Sequence, residues 1–415
     1  MLPPLIVTES TYEFVPPHEG NIWPKILARV AGRVLRKDHG VSEVEIRGEE
    51  NLTAVLKEGH GIVIAPNHCR MADALVLQTL SRKLNQPFFV MASSHLFRGS
   101  RLMKWVLRRM GAFSVYREGV DRQAVEAAID ILVNGQRPLV LFPEGALSQA
   151  NDRLNALMEG VSFIARTAAR KISKASGTER QVYVAPIAIR YLFQGDLKST
   201  VAPMLSDIER RLSWRPNNDM PIVDRIYKLG TALLGLKEIE YIGQPNGGEI
   251  AERLEKLIDA MLRPMEEEWL NGRTEDSAIN RVKELRKAIV PAMIEDVEGN
   301  VDSPLAKTEL DRRWRQLQDM ELAQALSLFP ERYVASHQSV DRILETVERI
   351  AENLTGEAQA HPPMKAIIEV GHPFPVAARR DRSAKTDPVL QELECRLTAM
   401  LDDLSKESRM FAETN

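Results

Sequence analysis

Between residues 41 and 195 the chain alternates short runs of β-branched and aromatic residues with segments of helical period. Nothing else in the sequence limits the fold as tightly. The runs lie at 42–47, 61–65, 87–92, 112–117, 138–142 and 182–190, and helical patterns fall between them at 72–84, 101–109, 122–134 and 153–172. Strands alternating with helices predict an α/β fold, a mostly parallel, mixed sheet flanked by helices on both faces. Ligands of such sheets bind beyond the carboxyl ends of strands, so the turns after the runs are where chemistry is expected. The last run contains Pro186. Proline removes a ladder donor, which predicts an edge strand or a bulge there.

Past residue 200 the texture becomes almost wholly helical. Segments 204–213, 222–241, 248–270, 278–296, 308–327 and 338–355 carry helical period, and Gly243 fits a helix stop. A strand-like stretch, MKAIIEVGHPFPV at 364–376, then returns, and a last helix is expected at 387–405. An isolated buried strand cannot satisfy its backbone donors and acceptors, so this stretch is expected to complete the sheet begun at 42–190. The chain then divides into an arm with a basic amphipathic helix (1–40), an α/β core (41–200) and a helical insertion (201–362). Residues 363–415 form a returning strand and a C-terminal helix that belong to the core.

The 415 residues are 44% hydrophobic and 27% charged, ordinary values for a soluble globular protein. A net charge of −3 argues against a nucleic-acid partner, because phosphate recognition wants a strong positive field. The two cysteines, Cys69 and Cys395, form no disulfide framework, and Cys69 reads as a small buried residue. No Cys/His cluster has metal-ligand spacing, so no metal is expected. No apolar run is long enough to span a bilayer, and the N-terminus MLPPLIVTESTYEFVPPHEG lacks the basic and apolar regions of a secretory signal. The expected place is the cytoplasm, on the inner face of a membrane. Two basic, Trp-containing amphipathic stretches suit an anionic membrane surface: IWPKILARVAGRVLRK at 22–37, and LFRGSRLMKWVLRRM at 96–110. Oligomeric state is not legible.

The most informative turn follows the run at 61–65. It reads Pro66-Asn67-His68 and, five residues past the histidine, Asp73 in the first turn of the next helix. A carboxylate there favours the helix N-terminus. It can also accept a hydrogen bond from one imidazole nitrogen, fixing the tautomer and leaving the other nitrogen free as a base. No G-x-S-x-G elbow is present, so the nucleophile is expected to be a substrate hydroxyl. Phe142-Pro143-Glu144-Gly145 ends another run, and the run at 112–117 delivers Arg117, a forked donor suited to phosphate.

These blocks, taken in order, resemble the PlsC-type glycerol-phosphate and 1-acylglycerol-3-phosphate acyltransferases. Asn67-His68 through Asp73 looks like the family's N-H-x4-D block, and Gly111 to Arg117 like its second. Phe142-Pro143-Glu144-Gly145 matches the third, Val184-Ala185-Pro186-Ile187 resembles the fourth, and Gly160 stands where a helix glycine follows the third block. The resemblance covers about 45–195. It implies His68 and Asp73 as catalytic, with Arg117, Glu144, Gly145 and Asn67 binding substrate. It implies an acyl donor thioester, acyl-CoA or acyl carrier protein, as co-substrate without a resident cofactor. The implied acceptor is glycerol 3-phosphate, lysophosphatidate or a related lysolipid, in phospholipid biosynthesis. Two departures bear on the acceptor: Ala146-Leu147-Ser148 replaces the usual Thr-Arg-Ser, and Glu159 replaces a lysine. Acylation of a non-phosphoglycerol hydroxyl, or a catalytically silent lipid-binding scaffold, therefore stays open.

Overall fold

The computed structural model describes residues 12–117, 119–175, 179–275, 277–297, 307–329, 333–380, 384 and 386–412. The first eleven residues of the expected arm lie outside them. Among the described residues the sheet has eight strands: β1 (Val41–Arg47), β2 (Gly61–Pro66), β3 (Phe89–Ser93), β4 (Ala112–Val115), β5 (Leu139–Val140), β6 (Val182–Phe193), β7 (Met364–Val370) and β8 (Phe374–Pro375). Their order is β1-β7-β6-β2-β5-β3-β4, with β8 also on β6. Every pairing is parallel except those of β6 with β7 and with β8. The strand that returns after the helical region thus sits between β1 and β6 and is buried except at Lys365 and Glu369, which are partly exposed.

Helices cover both faces. One face carries α1 (Ile22–Asp38), α3 (Asp73–Lys83), α7 (Leu197–Arg211) and α13 (Val340–Thr355), whose apolar residues share a core with Ile187, Ile189 and Tyr191. On the opposite face α5 (Arg122–Asn134), α6 (Gly160–Lys174) and α14 (Pro388–Ser405) pack on Val63, Val182 and Val184. The short helix α2 (Glu49–Lys57) joins β1 to β2, and α4 (Arg101–Arg109) precedes β4. Four long helices follow α7: α8 (Ile222–Ile242), α9 (Ile250–Leu270), α10 (Ala278–Val297) and α11 (Lys307–Ser327). A single turn, α12 (Tyr333–Ser336), leads to α13. Helices α9 to α11 enclose a second apolar core of their own, while α8 gives Ile226 and Leu229 to the sheet's core and Leu234 to theirs.

Pro186 corrects the expectation of an edge strand or bulge. It lies in β6, a central strand, opposite Ala65 of β2. On its other side β8 pairs only with Tyr183 and Val184, and β7 begins at Ile187, so Pro186 falls in the gap where the chain turns from β7 to β8. Its carbonyl accepts from the Gly371 N–H of that turn at 2.9 Å. A missing donor costs little where no strand acceptor stands opposite.

Candidate active site

Strand β6 is twelve residues long and overruns β2, whose pairing ends at Pro66 opposite Ile187. Buried backbone groups must find partners, and past that point side chains supply them. Asn67 Oδ1 accepts from Ile189 N at 2.7 Å while its Nδ2 donates to Ile189 O at 3.0 Å. Asn151 repeats the arrangement two residues on, with Tyr191 N at 2.9 Å and Tyr191 O at 3.0 Å. Asp341 then accepts from Phe193 N at 2.7 Å. The amide of Asn67, expected at the substrate, is fully buried and spent on β6.

This clamp aims the next residue. His68 has its N–H bonded to Glu144 Oε1 at 2.7 Å and its carbonyl bonded by Ser148 N at 2.7 Å, so its backbone is held from both sides. Its ring stacks on Phe142, centroids 4.0 Å apart. Nδ1 lies 2.8 Å from Asp73 Oδ2. A carboxylate only accepts, so Nδ1 carries the proton and Nε2 presents a lone pair. Asp73 is fully buried whereas the His68 side chain is 21% exposed, which leaves the imidazole open to a ligand and its carboxylate closed to water.

Asp73 sits at the start of α3 and is held by more than the histidine. Tyr191 donates its hydroxyl to Oδ1 at 2.7 Å, and Arg70 donates its backbone N–H to Oδ2 at 3.0 Å. Burial pushes the Tyr191 phenol well above its ordinary range, so it stays a donor. Burial likewise pushes the Cys69 thiol up, and its Sγ lies 3.8 Å from Asp73 Oδ1. A neutral, enclosed thiol is no nucleophile, as the sequence reading expected.

Glu144 departs from expectation. Both carboxylate oxygens accept backbone N–H groups, from His68 and, at 2.8 Å, from Asn155. The residue is buried, and burial pushes its carboxyl up to about 8 against the pull of those two donors. It therefore ties the His68 backbone to the following loop, and its burial leaves it little access to an acceptor. Gly145 takes φ +67°, and a Cβ there would strike Met158, so the turn demands glycine. The Gly145 carbonyl accepts from the Arg117 guanidinium, which brings the ends of β4 and β5 together beside His68. Arg117 is exposed and stands two residues past β4, in the loop rather than at the strand end.

The loop from Pro143 to Met158 closes on itself through Met158 N to Pro143 O at 2.8 Å. Helix α13 braces it. Arg349 donates to Ser148 O at 2.6 Å and to Gln149 Oε1 at 3.0 Å, and Glu345 accepts from Asn151 N at 3.1 Å. Glu348 on the same helix pairs with Arg70 at 3.0 Å. Sequence reasoning missed Tyr191, Arg70, Asn151 and the acids of α13. Only Tyr191 carried a signal: a phenol amid the β-branched Ile187 and Ile189 of one strand face needs a partner for its hydroxyl. Among the described residues no cluster of acids, histidines or cysteines could hold a metal ion.

Residues 43–190 match the family model described as Acyltransferase. Over this stretch the chain is similar to acyltransferases. The chain is also 32% identical, over 91 residues, to a 1-acyl-sn-glycerol-3-phosphate acyltransferase of Streptococcus pneumoniae (strain ATCC BAA-255 / R6). The match covers 22% of this chain and 32% of the relative, so the chain spans about a third of the length of the curated relative it matches. His68, Asp73, Arg117 and Glu144 all lie within the acyltransferase-family stretch. Tyr191 falls one residue past it, and α13 far outside it.

Proposed function

We propose that the protein is an O-acyltransferase of lipid biosynthesis, moving a fatty acyl group from a thioester donor to a hydroxyl of a lysolipid or glycerol-phosphate acceptor. The observation that carries this is the pair His68–Asp73 at 2.8 Å, partly open on the imidazole side and closed on the carboxylate side, within a stretch similar to acyltransferases. His68 Nε2 takes the proton of the acceptor hydroxyl as its oxygen attacks the thioester carbonyl carbon. Asp73 stabilises the imidazolium that forms. Collapse of the tetrahedral intermediate breaks the C–S bond, and the departing thiolate takes the proton back from His68. Arg117 holds the acceptor's phosphate near the Gly145 turn. Acyl-CoA and acyl carrier protein both fit as donors.

The same reading with a non-phosphoglycerol acceptor is favoured by Leu147 and Glu159, which stand where the resemblance leads one to expect an arginine and a lysine. An acyl-transfer assay over glycerol 3-phosphate, lysophosphatidate and uncharged lysolipids, with both donors, tests the proposal. Transfer to none of them rejects it. With a phosphorylated acceptor, Arg117→Ala should raise the acceptor KM far more than the donor KM, and an equal rise would remove Arg117 from the acceptor site.

Tyr191 is a positioning residue in this scheme. Tyr191→Phe should lower kcat about tenfold, the scale of one buried hydrogen bond at about 1–1.5 kcal/mol. The donor and acceptor KM values should stay where they are, because Tyr191 acts through Asp73. A lowered melting temperature with an unchanged kcat would reduce Tyr191 to packing.

Membrane contact belongs to the proposal as well. Among the described residues no helix is long and apolar enough to cross a membrane. Helix α1 buries its small residues, Ala28 and Ala31 with Pro24 and Leu35, and turns large ones outward: Ile22 is 73% exposed, and Trp23, Ile26 and Val30 follow. Helix α4 buries none of its residues, and Leu102 is 69% exposed. The two helices meet at Trp23 and Trp105, centroids 4.9 Å apart, with Arg109 over both rings. Outward apolar side chains among Lys25, Arg29, Arg101 and Lys104 suit a peripheral, charge-assisted contact with anionic lipid. Sedimentation with anionic vesicles should show binding that weakens as salt rises; salt-independent binding, or none, rejects it.

A further inference from the structure

A cavity of about 1570 Å³ lies among α8, α9, α11, α13 and the loop that follows Gly145. It exceeds the range of about 300–1,000 Å³ usual for small-ligand pockets. Its walls are apolar, set by Ile226 and Leu233 of α8, Leu254 and Ile258 of α9, and Ile350 and Leu354 of α13. The charged lining is unevenly placed. Glu240, Glu249 and Glu255, with Lys237, belong to the α8–α9 side, while Arg153, Arg342 and Arg349, with Asp152 and Glu345, come from the loop and α13.

At the arginine side most groups are already occupied. Arg342 pairs with Asp152, and Arg349 is spent on Ser148, Gln149 and Leu328. Glu345 takes Asn151 N–H and the Tyr333 hydroxyl. Arg153 differs. It is half-buried, burial lowers its guanidinium's affinity for its proton, and among the described residues it makes no hydrogen bond or ion pair. The acid that acts on it, Glu144, makes no ion pair with it and is itself pushed up by burial to about 8. A desolvated cation without a close ion pair is costly, and a ligand anion would remove that cost. The loop that carries Arg153 also carries Ser148, whose N–H holds the His68 carbonyl.

We propose that this cavity is a binding site for a long-chain amphiphile with one anionic head group, the head on Arg153 and the hydrocarbon along α8, α9 and α13. Carboxylate and phosphate heads share the required chemistry: a fatty acid and a lysophospholipid are the two sources. The site is made almost wholly by residues outside the acyltransferase-family stretch, and it does not depend on acyl transfer being the protein's activity.

Gly230 of α8 gives a clean test. It lines the cavity, and a Cβ there would meet nothing within 4 Å. Gly230→Phe should fill the space without breaking the helix, since glycine is itself a poor helix former. The probe is a fluorescent polyene fatty acid, displaced in turn by oleate, by oleoyl lysophosphatidate and by oleyl alcohol. The wild-type chain should bind one probe saturably, and Gly230→Phe should bind it at least about tenfold more weakly with no loss of melting temperature. Arg153→Gln should weaken the anionic competitors about tenfold and leave oleyl alcohol unchanged. Displacement by only one of the two anions supports the site and names its source. Unweakened binding to Gly230→Phe, or an equal effect of Arg153→Gln on the alcohol, overturns the proposal. His68→Ala should bind the probe as the wild type does. Binding without acyl transfer in the wild type would reject the catalytic reading and leave this one standing.

Discussion

Replacing His68 with alanine should lower the rate of acyl transfer by about 10²–10⁴-fold, the usual contribution of a positioned general base. Melting should barely change. The His68 side chain is partly exposed, its backbone bonds to Glu144 and Ser148 do not need the imidazole, and Asp73 keeps the Tyr191 hydroxyl and the Arg70 N–H. Asp73→Asn should be severe for a different reason. The amide holds the ring but carries no charge to stabilise an imidazolium, and with the wrong orientation it offers Nδ1 a donor instead of an acceptor. Undiminished transfer by His68→Ala, measured with purified protein and matched donor and acceptor, would end the general-base mechanism outright.

The second large effect concerns the chain's continuity. We read 201–362 as an insertion within one domain, so a chain ending at residue 200 should fail to fold. It would lack β7, which pairs with β6 across seven residues from Ile187 to Phe193 and with β1 on its other edge. Met364, Ile367, Ile368 and Val370 of β7 are all buried. Each such side chain stabilises by about 1.5–3 kcal/mol, so their loss is comparable to the whole margin of about 5–15 kcal/mol for a typical domain. It would also lack Asp341, Glu345 and Arg349, which satisfy β6 and the loop beside His68. The expected result is an aggregating fragment without a cooperative melting transition. A soluble 1–200 chain with a sharp transition would show that the core stands alone.

Much of this arrangement is local and therefore legible in the chain itself. The sheet's strands and most of its helices follow from periodicity. His68 and Asp73 lie five residues apart across one strand-to-helix turn, so a single piece of backbone sets their geometry. Gly145 is legible for the same reason: its positive φ is a property of its own turn. Boundaries slipped where tertiary bonds decided them. The helix expected from 153 begins only at Gly160, because Asn151 and Asn155 are drawn into bonds with Tyr191 and Glu144.

Only the tertiary structure decided what most of the polar residues do. Asn67 and Glu144 stand beside the histidine in sequence or motif, yet their side chains close backbone bonds, because a strand that overruns its neighbour leaves donors and acceptors that must be met. Tyr191 reaches Asp73 from 118 positions away, a separation no spacing rule spans. Helix α1 shows the same limit from the other side. Its apolar period predicted the helix, but which face turns inward depends on the surface it packs against, and that surface accepted alanines and left the tryptophan outside. The sequence by itself determined the strand-and-helix alternation and the histidine with its carboxylate. That a strand from residue 364 onward returns to the sheet was legible; its place between β1 and β6, antiparallel to β6, the brace of α13 and the cavity behind it arise from contacts between segments far apart in the chain, whose pairing no local pattern encodes.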